Sequence, residues 1–294
     1  MFQIADASNA MQDGRLRQAQ LKMLSILKVV DQICQKHHLD YWLEGGTLLG
    51  AVRHQGFIPW DDDLDISMTR DSINQFIDIA KKELPSHLFL QSAHTDKNYF
   101  NLAAPYKIRD NNSRFIEFHE NGDQPFHQGI FIDIFVYDKL PVKINEMRQW
   151  QLLSKKLLRL LRPKYTSLNL GHNATLYNLI SRCLSKSWLE QQLNQLLAKS
   201  AQLESPWLGY GFDCVNNNRV HYNDIFPLKR IQFEDSLFQV ANRYETILEQ
   251  LYGNYMQLPA EKDRNMQHCK ELIIDLEAFQ QQLANATLSE TEAN

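Results

Sequence analysis

WLEGGTLLGAVRHQGFIPWDDDLDISM, residues 42–68, joins a glycine pair to four aspartates that crowd into residues 61–65. The last five letters, LDISM, alternate apolar and polar side chains, which predicts a half-buried strand. Because residues two apart on a strand face the same way, we expect Asp63 and Asp65 to project together while the apolar residues beside them enter the core. The acidic cluster therefore lies at the head of a strand.

Three interpretations of the aspartates compete. A calcium loop of the EF-hand type requires Gly at its sixth position and Glu at its twelfth, where Ile66 and Ser72 stand. A solvated acidic turn would need no ligand, but like charges packed this closely beside a core repel one another unless a cation lies between them. Two carboxylates side by side form half of a magnesium site, which waters, phosphates and one more carboxylate usually complete.

The third carboxylate is predicted from a later segment, GIFIDIFVYD, residues 129–138. This run is nearly all apolar and is typical of a central strand covered on both faces. Asp133 is its exception, and a lone buried Asp is costly unless it binds a metal or pairs with Arg or Lys. Asp133 could also act as a general base. For Asp61 and Asp62 the roles of outer metal ligand and base both stay open.

Gly45, Gly46 and Thr47 are expected to form a turn ahead of a short helix. Glycine lets a backbone approach a ligand closely, and the N-terminal amides of a helix favour phosphate. Alone, such a pair is usually only a turn. Together with the acidic strand and the later Asp133, it resembles the nucleotidyltransferase fold. We therefore predict an α/β protein of the α+β type, with a mixed sheet core and flanking helices.

Two basic pairs are candidates for phosphate binding. Arg53 and His54 lie between the short helix and the acidic strand, and the alternative is a surface basic pair. Lys107 and Arg109 lie two apart on a predicted strand and so face one way. Their alternative role is cross-strand pairing with Glu117.

The pattern of the chain predicts four regions. Residues 1–141 form the catalytic core, 142–220 a mainly helical insertion that could contact the acceptor, 221–280 a segment that packs back on the core, and 281–294 a polar tail. Within the core, the strands on either side of Asn111–Asn112 are expected to form a hairpin, because Asn tolerates positive φ.

Composition narrows the class of protein. The chain has 294 residues, 44% of them hydrophobic and 22% charged, with a net charge of −4. This acidic balance argues against a protein that coats nucleic acid. We expect a cytoplasmic protein, because no secretory signal or membrane-length apolar run is present and the cysteines lack the spacing of a zinc site. The cysteines are Cys34, Cys183, Cys214 and Cys269.

One helical segment has a basic face. SKKLLRLLRPK, residues 154–164, places Lys155, Arg159 and Arg162 on one side and leucines on another. Such a helix could rest on the anionic inner surface of the membrane. The alternative is an ordinary amphipathic helix with a solvated face.

A family resemblance extends these observations. Residues 41–66 resemble the signature of the LicD family of bacterial phosphotransferases, which are similar to the fukutin-type transferases of animals. The likeness covers roughly residues 20–140 and 222–268 and includes YKIRDNN, GIFIDIFVYD, FEDSLFQV and LYGNYMQLP. The chain departs from the family pattern at Val136-Tyr137, where Pro-Leu is common, at Ala241, where Pro is common, and in FED, where Phe-Glu-Gly is usual.

The resemblance implies transfer of a phosphoryl-alcohol group, with phosphocholine favoured, from a CDP-linked donor to a sugar hydroxyl of a surface glycan or lipopolysaccharide. It also implies that Asp63, Asp65 and Asp133 hold Mg²⁺, or Mn²⁺, and that the Gly45–Thr47 turn holds phosphates. Two other functions stay open. The same carboxylates could serve transfer of a nucleotidyl group to a protein or small molecule, and the fold could serve as a non-catalytic scaffold for glycan assembly.

Overall fold

The computed structural model describes residues 14–120, 122–166, 174–275 and 277. The predicted polar tail, 281–294, lies outside the described residues. The helices and strands follow in this order: α1 (Arg15–His37), β1 (Tyr41–Leu43), α2 (Gly45–His54), β2 (Asp65–Thr69), α3 (Arg70–Glu83), β3 (Leu88–Gln91), β4 (Tyr106–Asp110), β5 (Arg114–Glu117), β6 (Phe131–Lys139), α4 (Ile144–Tyr165), α5 (Ala174–Arg182), α6 (Lys186–Ala201), β7 (Trp207–Tyr210), β8 (Val220–His221), α7 (Tyr222–Ile225), β9 (Lys229–Phe233), β10 (Ser236–Val240), α8 (Tyr244–Tyr252), a 3-10 turn (Glu261–Asp263) and β11 (Cys269–Ile273).

A seven-stranded mixed sheet forms the centre of the molecule. Its main path runs β1-β2-β6-β4-β3, while β7 joins the far end of β6 and β8 pairs with β7. The pair of β2 and β6 is parallel, and the other pairs are antiparallel. Helices flank this sheet, so the predicted α+β architecture with a mixed sheet is confirmed and is consistent with a nucleotidyltransferase-like fold.

The run predicted as a central strand is β6. Its first half pairs with β2 on one side and with β4 on the other, and its last residues pair with β7. Ile132 and Ile134 have no exposed surface, and the neighbouring β2 buries Ile66 and Met68 as completely. A nearly continuous apolar sequence is what a strand covered on both faces requires.

The predicted hairpin across Asn111–Asn112 is wrong. β4 pairs with β3 and β6, whereas β5 leaves the main sheet and pairs with β11. The two asparagines do not adopt positive φ. Their side chains instead bind neighbouring segments, Asn111 at the carbonyl of Ser86 and Asn112 at the carboxylate of Asp275. A turn without the required backbone handedness cannot return the chain alongside its own strand.

The insertion and the C-terminal segment both return to the core. α4 packs against α5 and α6, after which β7 and β8, assigned from sequence to the insertion, join the main sheet. The β9–β10 hairpin packs on β1 and α2, and β11 covers β5. In the part of the chain that the structure describes, no helix combines the length and the apolar character needed to cross a membrane.

Candidate active site

A cavity of about 520 Å³ opens where β2 and β6 begin. Asp65 and Asp133 are direct register partners on these two parallel strands, and both line the cavity. Asp61 and Asp63, from the loop before β2, line it as well. Four carboxylates from three places in the sheet region therefore face one space, and Asp133 is the distant partner that the acidic run required.

The side-chain alternation predicted for this region is confirmed at residues 63–66, but β2 is not half-buried, because Ser67 on its polar side also has no exposed surface. Leu64 and Ile66 are fully buried, while Asp63 and Asp65 reach the cavity. The backbone N–H of Asp133 donates to the carbonyl of Leu64 at 2.8 Å, which continues the β2–β6 pairing to the edge of the cavity. This pairing fixes the spacing between the two acidic strands.

The glycine pair begins α2 and does not form a separate turn. Glu44 is the N-cap, Gly45 has φ of 52°, and Gly46 follows within the first helical turn. A Cβ atom at Gly46 would lie 3.0 Å from the Oδ2 atom of Asp61. Glycine therefore serves a specific purpose here, since it lets that carboxylate approach the first turn of the helix.

Thr47 differs from its predicted role in phosphate binding. Its hydroxyl accepts a hydrogen bond from the backbone N–H of Asp65 at 2.8 Å, and only 4% of the residue is exposed. The backbone N–H of Glu44 also donates to the carbonyl of Asp65. Thr47 thus fastens the start of α2 to the start of β2 and holds the two parts of the quoted stretch together.

Burial and mutual repulsion dominate the electrostatics of the carboxylates. Burial, followed by the charges of Asp63 and Asp62, raises the pKa of Asp61 to about 8. Burial raises the pKa of Asp133 to about 6, and burial with the charges of Asp63 and Asp133 raises that of Asp65 well above its usual range. A set of oxygen donors whose negative charge is this poorly tolerated fits a hard divalent cation such as Mg²⁺.

Lys107 and Arg109, predicted as a basic pair on one strand, have different surroundings in the structure. Lys107 lines the cavity, with its Nζ atom 2.8 Å from Oδ1 of Asp133 and 3.5 Å from Oε2 of Glu117. Arg109 has no exposed surface; its guanidinium binds the side chain of Gln91 and the carbonyl of Gly129. The Arg109 guanidinium also lies 3.9 Å from Oε2 of Glu117, so the alternative of pairing with Glu117 describes both basic residues, and Arg109 is too deeply buried to meet a phosphate.

Arg53 and His54 lie outside the lining of this cavity. Arg53 donates from NH1 to the carbonyl of Tyr255 at 2.9 Å, and the His54 ring meets the Trp60 ring edge-on. Both residues stand in the last turn of α2, away from the glycine pair at its start. Arg53 therefore holds the C-terminal segment, and His54 packs on Trp60, so neither side chain belongs to the cavity wall.

Asp62 has a structural role that the sequence left open. It is fully buried, and its carboxylate accepts hydrogen bonds from the backbone N–H groups of Gln267, His268 and Cys269 at distances of 2.7 to 3.3 Å. This clamp brings the His268 ring to the cavity, where Nε2 lies 3.1 Å from Oδ2 of Asp63. Sequence reasoning missed His268, because nothing local connects it with an aspartate two hundred residues earlier.

Glu44 is a second residue whose role the sequence motifs did not predict. Its buried carboxylate accepts hydrogen bonds from Trp42, Ser67, Tyr137 and Tyr210 at 3.0 to 3.1 Å. Burial raises its pKa even against these four donors. The donors come from β1, β2, β6 and β7, so Glu44 joins four strands beneath the start of α2.

A further set of possible metal ligands lies at the end of β5. Glu117, His119 and Glu120 each place one ligand atom within 4.8 Å of the others. Glu117 and His119 also line the acidic cavity, although Glu117 already faces Lys107. Nitrogen and oxygen donors of this kind suit a transition metal better than Mg²⁺.

Comparison with known proteins agrees with this geometry. The family described as LicD/FKTN/FKRP, nucleotidyltransferase domain, matches residues 38–150, which include all four cavity aspartates. The lipopolysaccharide cholinephosphotransferase LicD of Haemophilus influenzae is 31% identical over 279 residues, covering 88% of this chain and 98% of that protein. The chain belongs to the LicD family. The resemblance found in the motifs is thus confirmed, and this LicD protein is a phosphotransferase.

Two other relatives match only a short part of this chain. An uncharacterized protein of Rickettsia prowazekii is 49% identical over 51 residues, 17% of this chain and 19% of its own length. The ribitol 5-phosphate transferase FKRP of Homo sapiens is 54% identical over 33 residues, 11% of this chain and 7% of its own length. The segment of this chain with the higher identities to these two relatives is therefore short.

Proposed function

We propose that this LicD protein transfers a phosphoryl-alcohol group, with phosphocholine favoured, from a CDP-linked donor to a sugar hydroxyl of a cell-surface glycan or lipopolysaccharide. CMP is released, and the reaction depends on Mg²⁺, with Mn²⁺ as the alternative ion. One observation carries the proposal, namely that four aspartates line a single cavity in a chain that matches a cholinephosphotransferase over almost its whole length.

The bond changes of the proposed reaction are simple. The acceptor oxygen forms a bond to the phosphorus that carries the alcohol, the bond from that phosphorus to the bridging oxygen breaks, and CMP leaves with the bridging oxygen. The acceptor proton passes to a cavity carboxylate, for which Asp133 and Asp61, both in the lining, are the candidates. A bound Mg²⁺, held by Asp63, Asp65 and Asp133, would neutralise the donor phosphates.

The remaining cavity residues support binding of such a donor. The N-terminal turn of α2, with Gly45 and Gly46, offers backbone amides to a phosphate. Phe118, Phe135 and Tyr252 line the same cavity, and aromatic faces are suited to a quaternary ammonium group. Lys107, paired with Asp133, would orient that carboxylate rather than bind phosphate directly.

The decisive experiment follows the product and the metal site together. The purified protein, CDP-choline and a glycan acceptor should yield CMP only when Mg²⁺ or Mn²⁺ is present. Asp65→Asn should lower the rate by about a thousandfold or more while the protein stays folded. Asp78→Asn, on an exposed face of α3, is the matched control and should leave the rate unchanged. Full turnover by the folded Asp65→Asn variant would contradict the proposal.

The two other functions make different predictions in the same assay. Transfer of a nucleotidyl group to a protein or small molecule would break the bond between the bridging oxygen and the phosphorus that carries the cytidine, so CDP-choline would release phosphocholine instead of CMP. With CTP in place of CDP-choline, the same reaction would release pyrophosphate. A non-catalytic scaffold would give neither product and would show no Mg²⁺-dependent binding of nucleotide by calorimetry.

We also propose a cytoplasmic protein that touches the inner surface of the membrane. The four cysteines are free thiols. α4 exposes 54% of Leu152 and 48% of Leu153 on the same helix as Lys155 and Arg159. Apolar and basic side chains side by side are suited to an anionic lipid surface. The insertion would then hold the acceptor close to its lipid anchor.

A further inference from the structure

A second cavity, of about 700 Å³, lies between the core and the helical insertion. The core side includes Asp71 and Asn74 of α3 and Tyr106 of β4, and the insertion side includes Tyr165 of α4 and Asn194 of α6. None of the four cavity aspartates lines it. The insertion therefore does not simply cover the sheet; it encloses a space of the size that proteins use for ligands with more than one ring.

The two cavities meet at one residue. Asn101 lines both of them, and the chain that follows it divides them, with Ala103 and Ala104 facing the acidic cavity and Tyr106 the second one. The Oδ1 atom of Asn101 accepts hydrogen bonds from the backbone N–H groups of Ala103 and Ala104 at 2.8 and 3.2 Å. The partition is thus a defined turn, and Asn101 is the residue that borders both cavities.

The second cavity combines aromatic rings with polar side chains. The rings of Phe100 and Tyr165 stack with their centroids 5.0 Å apart and their planes 29° apart, and Nζ of Lys186 lies 3.6 Å from the centroid of the Tyr165 ring, so Phe100 keeps the outer ring face of the pair. Asn74 and Asn194 add exposed amides, which both donate and accept hydrogen bonds. A sugar ring has apolar C–H faces and a rim of hydroxyls that both donate and accept, so it matches this mixture of surfaces.

The charges of the second cavity disfavour an anionic ligand. Its guanidinium, that of Arg70, already binds Asp138 and Asp213 at distances of 2.6 to 3.0 Å. Asp71 adds negative charge to the lining, and the carboxylate of Glu190 lies 3.8 Å from Nζ of Lys186. A nucleotide or a free phosphate would meet repulsion here, whereas a neutral group would not.

A lone quaternary ammonium group is also a poor match. Such groups are held by several rings that surround one point. Here Phe100 and Tyr165 stack upon each other and present one wall, and the space exceeds the needs of a single methylated ammonium. We infer that the second cavity binds a neutral sugar unit of the acceptor glycan and that Asn101 marks the passage of its reacting end to the acidic cavity. This inference rests on the proposed function.

The test measures sugar binding without turnover. Saturation-transfer NMR would be recorded on the full chain with methyl glycosides of hexoses and N-acetylhexosamines as probes, and with choline chloride as a competing probe. Ala198→Trp, which fills the cavity from α6, should weaken the response of a binding glycoside by about tenfold or more. Lys199→Trp, exposed on the same helix outside the lining, is the matched control.

A second pair of variants keeps the test independent of any misfolding of the first. Phe100→Tyr retains the outer ring and should retain binding, whereas Phe100→Leu removes the ring and should lose it. Absence of a glycoside response at about 10 mM, where weak sugar sites are already occupied, would overturn the inference. A response that ignores Ala198→Trp, or a choline response that this variant removes, would overturn it too.

The outcome is separable from that of the proposed transfer. Asp65→Asn should lose transfer yet keep the glycoside response, because its carboxylate lies in the other cavity. Glycoside binding without any CMP release in the wild-type protein would defeat the proposed function and leave the sugar site standing. Transfer without glycoside binding in the second cavity would overturn the sugar site and leave the proposed function standing.

Discussion

The carboxylate of Asp62 accepts a hydrogen bond of 2.7 Å from the backbone N–H of Cys269, a residue 207 positions further along the chain. Two neighbouring N–H groups converge on the same carboxylate. We expect Asp62→Ala to lower the free energy of unfolding by about 2–4 kcal/mol, because three backbone donors lose a buried charged acceptor. Urea unfolding followed by circular dichroism measures this change.

The adjacent aspartate provides the control for that prediction. Asp63→Asn should leave the metal-free protein as stable as the wild type or more stable, because burial raises the pKa of Asp63 and its charge is unfavourable in the fold. Equal destabilisation by the two substitutions would contradict the separate roles assigned to these neighbours.

The stability of the metal-free protein should depend on pH in an unusual direction. Burial raises the pKa of Asp61 from 3.8 to about 8 and that of Asp133 from 3.8 to about 6. The folded protein therefore holds protons that the unfolded chain has released, so the free energy of unfolding should fall as pH rises from about 4 to about 8. Thermal unfolding with a chelator present, at several values within this window, measures the slope.

Added Mg²⁺ should reduce the fall in the free energy of unfolding as pH rises. The effect should be strongest at the alkaline end, because a cation stabilises the charged carboxylates and binds only the folded state. Asp63→Asn should show a smaller Mg²⁺ effect. A melting temperature that rises with pH without metal would contradict the charge arrangement described for the cavity.

His268 should act as a positioning residue for Asp63. Its ring lies 3.1 Å from that carboxylate, and 46% of its side chain is exposed. Loss of a partner that orients a metal-binding carboxylate commonly costs ten- to a hundredfold in activity or metal affinity, so we expect His268→Ala to lower kcat by about that factor.

The backbone of residue 268 is held by Asp62 and not by its own side chain, so the melting temperature should hardly change. His87→Ala, at an exposed histidine near β3, is the control. An unchanged kcat together with an unchanged Mg²⁺ dependence would remove His268 from the site.

Glu44 should contribute more to stability than its place in a glycine motif suggests. Glu44→Ala would leave the buried polar hydrogens of Trp42, Ser67, Tyr137 and Tyr210 without their acceptor, at a cost of about 3 kcal/mol or more. Glu249→Ala, exposed on α8, is the comparison and should cost little. Chemical denaturation curves decide between the two outcomes.

Local patterns predicted the parts of this protein that local chemistry determines. Alternation at residues 64–68 located β2, a continuous apolar run located β6, and the isolated Asp133 was recognised because a buried charge needs a reason. Spacing along a strand also placed Asp63 and Asp65 on the cavity. These inferences depend on a period of two, which a short sequence carries by itself.

Other parts of the fold depend on long-range pairing that no window of sequence reveals. The partner of β5 is β11, so the apparent hairpin at Asn111–Asn112 was misread. The spacing of Lys107 and Arg109 predicts phosphate ligands. In the fold, carboxylates from other strands pair with Lys107 instead, namely Glu117 and Asp133. Which of several neighbouring charges is buried is decided by tertiary packing, not by the charges themselves.

The clamp between Asp62 and the segment before β11 sets an order of events during synthesis. A nascent chain carries its aspartates and its central strand early, but β5 has no partner and Asp63 no neighbouring ring until residue 268 has left the ribosome. The segment just before β11 therefore completes the pocket wall, and fragments that stop before it are expected to bind metal poorly however well their sheet has formed.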